Sequence, residues 1–138
     1  MNPRRMAREK ALQVLYAMDV TDRWQEAGEH KKSLLPGEPR TSGESFARSL
    51  VNGVVRHREA IDAAIQSVAT HWNLPRMNLI DRNLLRLSTW EILFCEDIPP
   101  KVSINEALEL AKLYGVPETR RFLNGILDKI ARKKLGEG

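Results

Sequence analysis

Apolar residues recur every three or four positions through nearly the whole chain, and the two-residue alternation of a half-buried strand does not appear. That period commits the chain to helix packed on helix. The segment from Ile98 to Lys129 shows it best. Ile104, Ala107, Leu108, Ala111 and Tyr114 fall on one apolar stripe. Ser103 and Glu106 have the spacing of a capping box, in which each side chain satisfies a backbone N–H that a helix start leaves unpaired. Gly115 predicts the end of that helix, and Pro117 suits the first turn of the next. In that last helix, Leu123, Ile126, Leu127 and Ile130 define the buried face.

The same reading extends to the rest of the chain. A first helix is predicted from about Arg4 to Asp19, with Ala7, Ala11, Val14, Leu15 and Met18 inward. Between residues 21 and 42 the pattern weakens among glycines and prolines, which predicts a variable loop; Trp24 to Leu35 has room for a short helix. Thr41 and Glu44 form a second capping box. Phe46, Leu50 and Val54, then Ile61, Ala64, Ile65 and Val68, predict a long helical stretch that bends near Gly53 or His57. Pro75 closes it. From Asn78, with Asp81 in the first turn, runs the least amphipathic helix. Its apolar residues Ile80, Leu84, Leu85, Leu87, Trp90, Ile92, Leu93 and Phe94 surround most of the circumference, as in a central helix touched from several sides. The expectation is an all-α domain spanning residues 1–138, with six or seven helices.

At 138 residues the chain can bury a core without metal or disulfide help. Its single cysteine, Cys95, fits a reducing cytoplasm and follows an apolar run, which predicts inert burial. No apolar run approaches the roughly 18 residues of a membrane span, and no signal peptide is evident. Catalytic patterns are missing as well. His30, His57 and His71 lack metal-ligand spacing, and neither phosphate-cradling glycine motif occurs. The sequence predicts a binding protein without cofactor or metal.

Charge placement suggests what it binds. Residues 1–10 carry +3 and residues 118–138 carry +3, so the body holds −2 of the total +4. Two basic ends on a mildly acidic body make a polyanion site if they meet in space; otherwise they only solvate the termini. On the first helix, Arg5 and Tyr16 project within about 20° of each other, with Arg8 about 60° from Arg5 toward the apolar face. A guanidinium fork suits phosphate oxygens, and a tyrosine ring suits a base. The alternative is a core tyrosine with solvated arginines. On the last helix, Phe122 lies about 90° from the centre of the buried face, beside Arg121. It is placed either to stack on an unpaired base or to plug a neighbouring helix. Gly125, costing about 1 kcal/mol relative to alanine, suggests close approach by a packed helix or a ligand.

The run Ser-Ile-Asn-Glu-Ala-x-Glu-Leu-Ala-Lys from Ser103, followed by Phe-x-Asn-Gly-x-Leu-Asp from Phe122, resembles the NusB family of bacterial transcription antitermination factors. The resemblance extends to Arg4-Arg5-Met6-Ala7-Arg8 through Tyr16 and to Asp81-Arg82-Asn83-Leu84-Leu85-Arg86, and fades between Thr21 and Thr41. It implies two small helical bundles packed across one another. It also implies a non-enzymatic factor that binds single-stranded boxA RNA of ribosomal leader transcripts with NusE, a small-subunit ribosomal protein, and serves the elongating RNA polymerase. In such proteins the arginine-rich start and the start of the last helix lie together on RNA. The matching residues are Arg4, Arg5, Arg8, Tyr16, Arg121 and Phe122, with Asp81 on the partner surface. A similar domain precedes the catalytic domain of ribosomal RNA cytosine methyltransferases, and the chain's end at Gly138 without a cofactor fold argues against that reading. A helical scaffold binding only protein is the other alternative.

Overall fold

The computed structural model describes residues 3–24 and 39–136. Among them are six α-helices: α1 (Pro3–Thr21), α2 (Ser42–Arg56), α3 (Arg58–Val68), α4 (Leu79–Phe94), α5 (Pro100–Tyr114) and α6 (Pro117–Lys134). A 3-10 turn, Leu74–Arg76, links α3 to α4, and no strand occurs among the described residues. The short helix expected within Trp24–Leu35 lies, beyond Trp24 itself, outside the described residues, as does His30. α1 packs on α2, α5 packs on α6, and α4 touches all five other helices.

That centrality explains why α4 is weakly amphipathic. Leu84, Leu85, Leu87 and Ile92 are fully buried, each contributing about 1.5–3 kcal/mol. Asn83, Arg86 and Glu91 are buried beside them with polar partners, as burial of such groups requires, whereas the buried Thr89 hydroxyl has none. Those partners pin α1 antiparallel to α4. Near the start of α1, Arg8 pairs with Glu91; at its end, Asp19 accepts hydrogen bonds from Arg82 and Asn83 and pairs with Arg86. Arg86 also donates to Asp62 of α3, while Trp24 lies under the guanidiniums of Arg58 and Arg86.

The expected helix boundaries hold in part. Thr41 Oγ1 accepts the N–H of Glu44 at 3.1 Å, and the Glu44 carboxylate reaches back one residue further than expected, to the N–H of Arg40. Asn78 caps α4 by accepting from the N–H of Asp81. The bend falls at His57, which separates α2 from α3 and stacks on Phe94 with ring centroids 4.3 Å apart. Gly53 serves a different need: a Cβ there would sit 2.0 Å from the Trp90 ring, so glycine lets that ring lie against α2.

The Ser103–Glu106 capping box is not formed. α5 begins four residues earlier than that box implies, at Pro100, whose missing N–H costs nothing in a first turn. Ser103 and Glu106 are instead buried within the helix, and Leu110 replaces Ile104 and Leu108 at the centre of the inward stripe. Gly115 ends α5, but in an extended conformation; it is required because a Cβ would meet the Thr119 side chain at 2.8 Å. The expected close approach at Gly125 by a packed helix is absent, since nothing lies within 4 Å of a Cβ placed there.

Candidate nucleic-acid interface

One side of α1 carries Arg5, Glu9, Gln13 and Tyr16, three or four residues apart and therefore in one row. α5 lies beside it. Arg5 donates from Nε and Nη2 to one oxygen of Glu106, at 3.0 and 2.8 Å, and the Arg5 side chain stays 45% exposed. The hydrogen bond and charge of Glu106 make Arg5 hold its proton more tightly than an ordinary arginine. Further along, Tyr114 of α5 donates to Glu9 and accepts from Gln13, and the bond to Glu9 raises the phenol's pKa.

Arg8 is placed otherwise than expected. It is 3% exposed, donates to both oxygens of Glu91 at 2.7 and 2.8 Å, and approaches the other oxygen of Glu106 at 3.5 Å. Ser103 donates to the same Glu91, and Phe46 lies under Arg8 and Arg4. Arg8 therefore cannot present its donors to a phosphate at the surface. It holds Glu106, which in turn holds Arg5. Two neighbouring carboxylates accordingly offset much of the +3 of the N-terminal segment. Arg4 is half-exposed on the Phe46 ring, with Asp97 at 4.0 Å.

Tyr16 is 39% exposed and lines a groove with Met77, Asn78, Tyr114 and Val116. A second groove of about 490 Å³ adjoins it through Met77, Asn78 and Val116, and holds Trp72, Arg76, Asp81, Thr119 and Phe122. Phe122 is half-buried and meets Trp72 edge-on at 4.9 Å. Arg121 is exposed on the adjacent flank of α6. Asp81 is half-buried, accepting from Thr119 Oγ1 at 2.9 Å and from Asn78 at 3.0 Å; burial raises its pKa, against both hydrogen bonds. Through Thr119 it fixes the start of α6 to the start of α4.

The expected residues thus fall into two groups. Tyr16, Asp81 and Phe122 gather around adjoining grooves at the start of α4, whereas Arg4, Arg5 and Arg8 lie near Glu91 and Asp97 at its other end. The two ends of α4 are about 15 Å apart over the ten residues from Asp81 to Glu91. The row on α1 spans the interval between the two groups. Sequence reasoning missed Glu91, Ser103, Glu106 and Trp72. Ser103 and Glu106 signal only as a capping box, Glu91 only as a polar residue among apolar ones, and Trp72 stands outside any periodic segment.

Comparison with known proteins shows the family. The model of the NusB family matches residues 5–132. The transcription antitermination protein NusB of Syntrophus aciditrophicus is 41% identical over 140 residues, covering 96% of this chain and 82% of that protein. The crystal form of Thermotoga maritima NusB superposes with a TM-score of 0.81 at 35% identity, covering 96% of this chain and 92% of that one. A structure described as antitermination factors NusB and NusE in complex with double-stranded RNA gives a TM-score of 0.75 at 29% identity, covering 96% and 98%. The match along nearly the whole length, in sequence and in fold, means that the chain belongs to the NusB family.

Proposed function

We propose that this chain is a non-enzymatic, cytoplasmic transcription antitermination factor. It binds boxA-like single-stranded RNA in ribosomal leader transcripts together with NusE, and helps the elongating RNA polymerase resist termination. Family membership supports the reading, and the solved NusB–NusE assembly with double-stranded RNA supports its RNA and NusE partners. The observation that carries it is the pair of adjoining grooves that sets Tyr16 and Phe122 along one track, with Arg5 at the far end of the α1 row.

In this reading Arg4, Arg5 and Arg121 bind phosphates, Tyr16 and Phe122 stack on bases, and Arg8 is a positioning residue acting through Glu106. The NusE surface includes the start of α4. There each Asp81 oxygen accepts one internal hydrogen bond and keeps acceptor capacity for a partner's donor.

The test is a titration of boxA-like RNA, as a single strand and as a duplex, with and without NusE. Single-strand binding that strengthens with NusE and weakens in Arg5→Ala is the expected result. RNA binding indifferent to Arg5 and Arg121, with NusE binding intact, would instead indicate a scaffold that binds only protein.

A further inference from the structure

A separate groove lies along α6 toward its C-terminus from Phe122. The segment leaving α3, residues 67–76, runs antiparallel beside α6. At one end Lys133 Nζ lies 3.4 Å from Ser67 Oγ; at the other, Trp72 meets Phe122. Between these contacts lies an open groove of about 300 Å³ lined by Ser67, Val68, Thr70, Lys129, Arg132 and Lys133. On α6, Phe122, Lys129 and Lys133 project within about 40° of one another, so all three face this groove side. Gly125 interposes no side chain, and a Cβ there would have open space around it. Over the step of about 10 Å along the helix from Phe122 to Lys129, this flank carries only Gly125 and Ile126, whose side chain is buried.

The chemistry of the groove is that of a single-strand track. Trp72 is 56% exposed, a large ring left outside the core and supported by the Phe122 edge. Ser67 and Thr70 supply hydroxyls. Arg132 is held by Asp128 at 2.8 Å, whereas Lys129 and Lys133 extend into the groove without a carboxylate against them among its lining residues. Here the basic C-terminal segment keeps its charge, while the N-terminal arginines are largely offset.

We infer that this groove binds a further stretch of the same single-stranded RNA, with Trp72 stacking on a base and Lys129 and Lys133 on phosphates. The inference rests on the proposed RNA-binding reading and extends it by a second segment. An acidic peptide would use the lysines but has no planar base for Trp72.

The experiment compares a short boxA-like single strand with the same RNA lengthened at its 5′ end, its 3′ end, or both. The proteins compared are the unaltered chain, a Lys129→Gln/Lys133→Gln double variant and Trp72→Ala. Lengthening at one end should raise affinity and steepen the log–log salt slope by about 1.4, two phosphates at roughly 0.7 each. The lysine variant should lose that increment while binding the short RNA unchanged. Trp72→Ala should reduce the ratio of lengthened to short affinity by about 5-fold or more, as for loss of one base–aromatic stack. No gain on lengthening, a gain that survives both variants, or displacement by polyglutamate of the added segment alone would overturn the inference. Failure of the short RNA to bind would be a failure of the proposed function itself, and the inference would fall with it.

Discussion

Arg8 and Glu91 form a two-pronged ion pair at 2.7 and 2.8 Å, with both side chains almost wholly shut away from solvent. Removing one member leaves the other charge buried and unpaired, which costs about 3–5 kcal/mol. Arg8→Ala should therefore lower stability by that amount in urea denaturation, whereas Arg5→Ala, at a half-exposed pair, should lower it far less. An Arg8→Ala variant that folds normally yet loses RNA affinity would restore the phosphate-binding role expected from the sequence.

RNA binding should weaken with salt. With the three phosphates assigned to Arg4, Arg5 and Arg121 neutralised, the log–log slope for a short single strand is expected to be about −2, at roughly 0.7 per phosphate. Arg121→Ala should flatten it by about 0.7. A salt-independent affinity, or a preference for duplex, would count against the single-strand reading.

Phe122 is half-buried whereas its neighbour Leu123 is fully buried, so truncation should separate binding from folding. Phe122→Ala is expected to cost about 1–3 kcal/mol of RNA affinity. Its stability loss should stay below the roughly 2–5 kcal/mol of Leu123→Ala. Equal stability losses with unchanged affinity would make Phe122 a core residue.

Acid should loosen the junction of α1 with α4. Burial alone would raise the Asp19 pKa, but hydrogen bonds from Arg82 and Asn83, with the charges of Arg86 and Arg82, together hold it below the usual carboxylate value. A carboxyl depressed in the folded state stabilises above its unfolded pKa of about 3.9, and that contribution is lost as pH falls toward the folded value. Asp19→Asn should reduce stability at neutral pH and flatten its decline below about pH 4, as followed by thermal melts across pH. Asp81, raised by burial, acts with the opposite sign: its contribution is greatest when protonated and fades as pH rises through its folded pKa.

Cys95 should be nearly inert. Burial, then the charges of Glu91 and Asp97, push its thiol up to about 11, so little thiolate exists at neutral pH. Reaction with a thiol reagent at neutral pH is expected to be slow in the folded protein and to accelerate on unfolding; rapid labelling of the native state would refute this.

The periodicity carried the helices because it reports burial of apolar side chains directly. The face of α6 through Leu123, Ile126, Leu127 and Ile130, and the break near His57, were legible on that basis. The polar interior was not. Ser103 and Glu106 match a capping motif locally; Glu91 of α4 gives Ser103 another purpose, and Arg5 and Arg8, from about a hundred residues away, give Glu106 one. Arg8 misled for the same reason: a charged residue near an apolar face reads as solvated until its buried partner, Glu91, is in view. At Gly125 only the packed-helix half of the expectation fails: its cost as a helix residue is visible in sequence, while the open space around it is not.

α1 is riveted to α4 near both ends, by Glu91 at Arg8 and by Arg82 and Asn83 at Asp19. Neither sliding by a turn nor rolling is open to it without breaking both fastenings at once. The interval from Arg5 to Tyr16, about 16 Å along the helix, is therefore set before any ligand arrives. In the RNA-binding reading, α1 works as a fixed gauge: a strand is sorted by whether its phosphate and base fall at that separation, and the protein has no slack with which to meet one that does not.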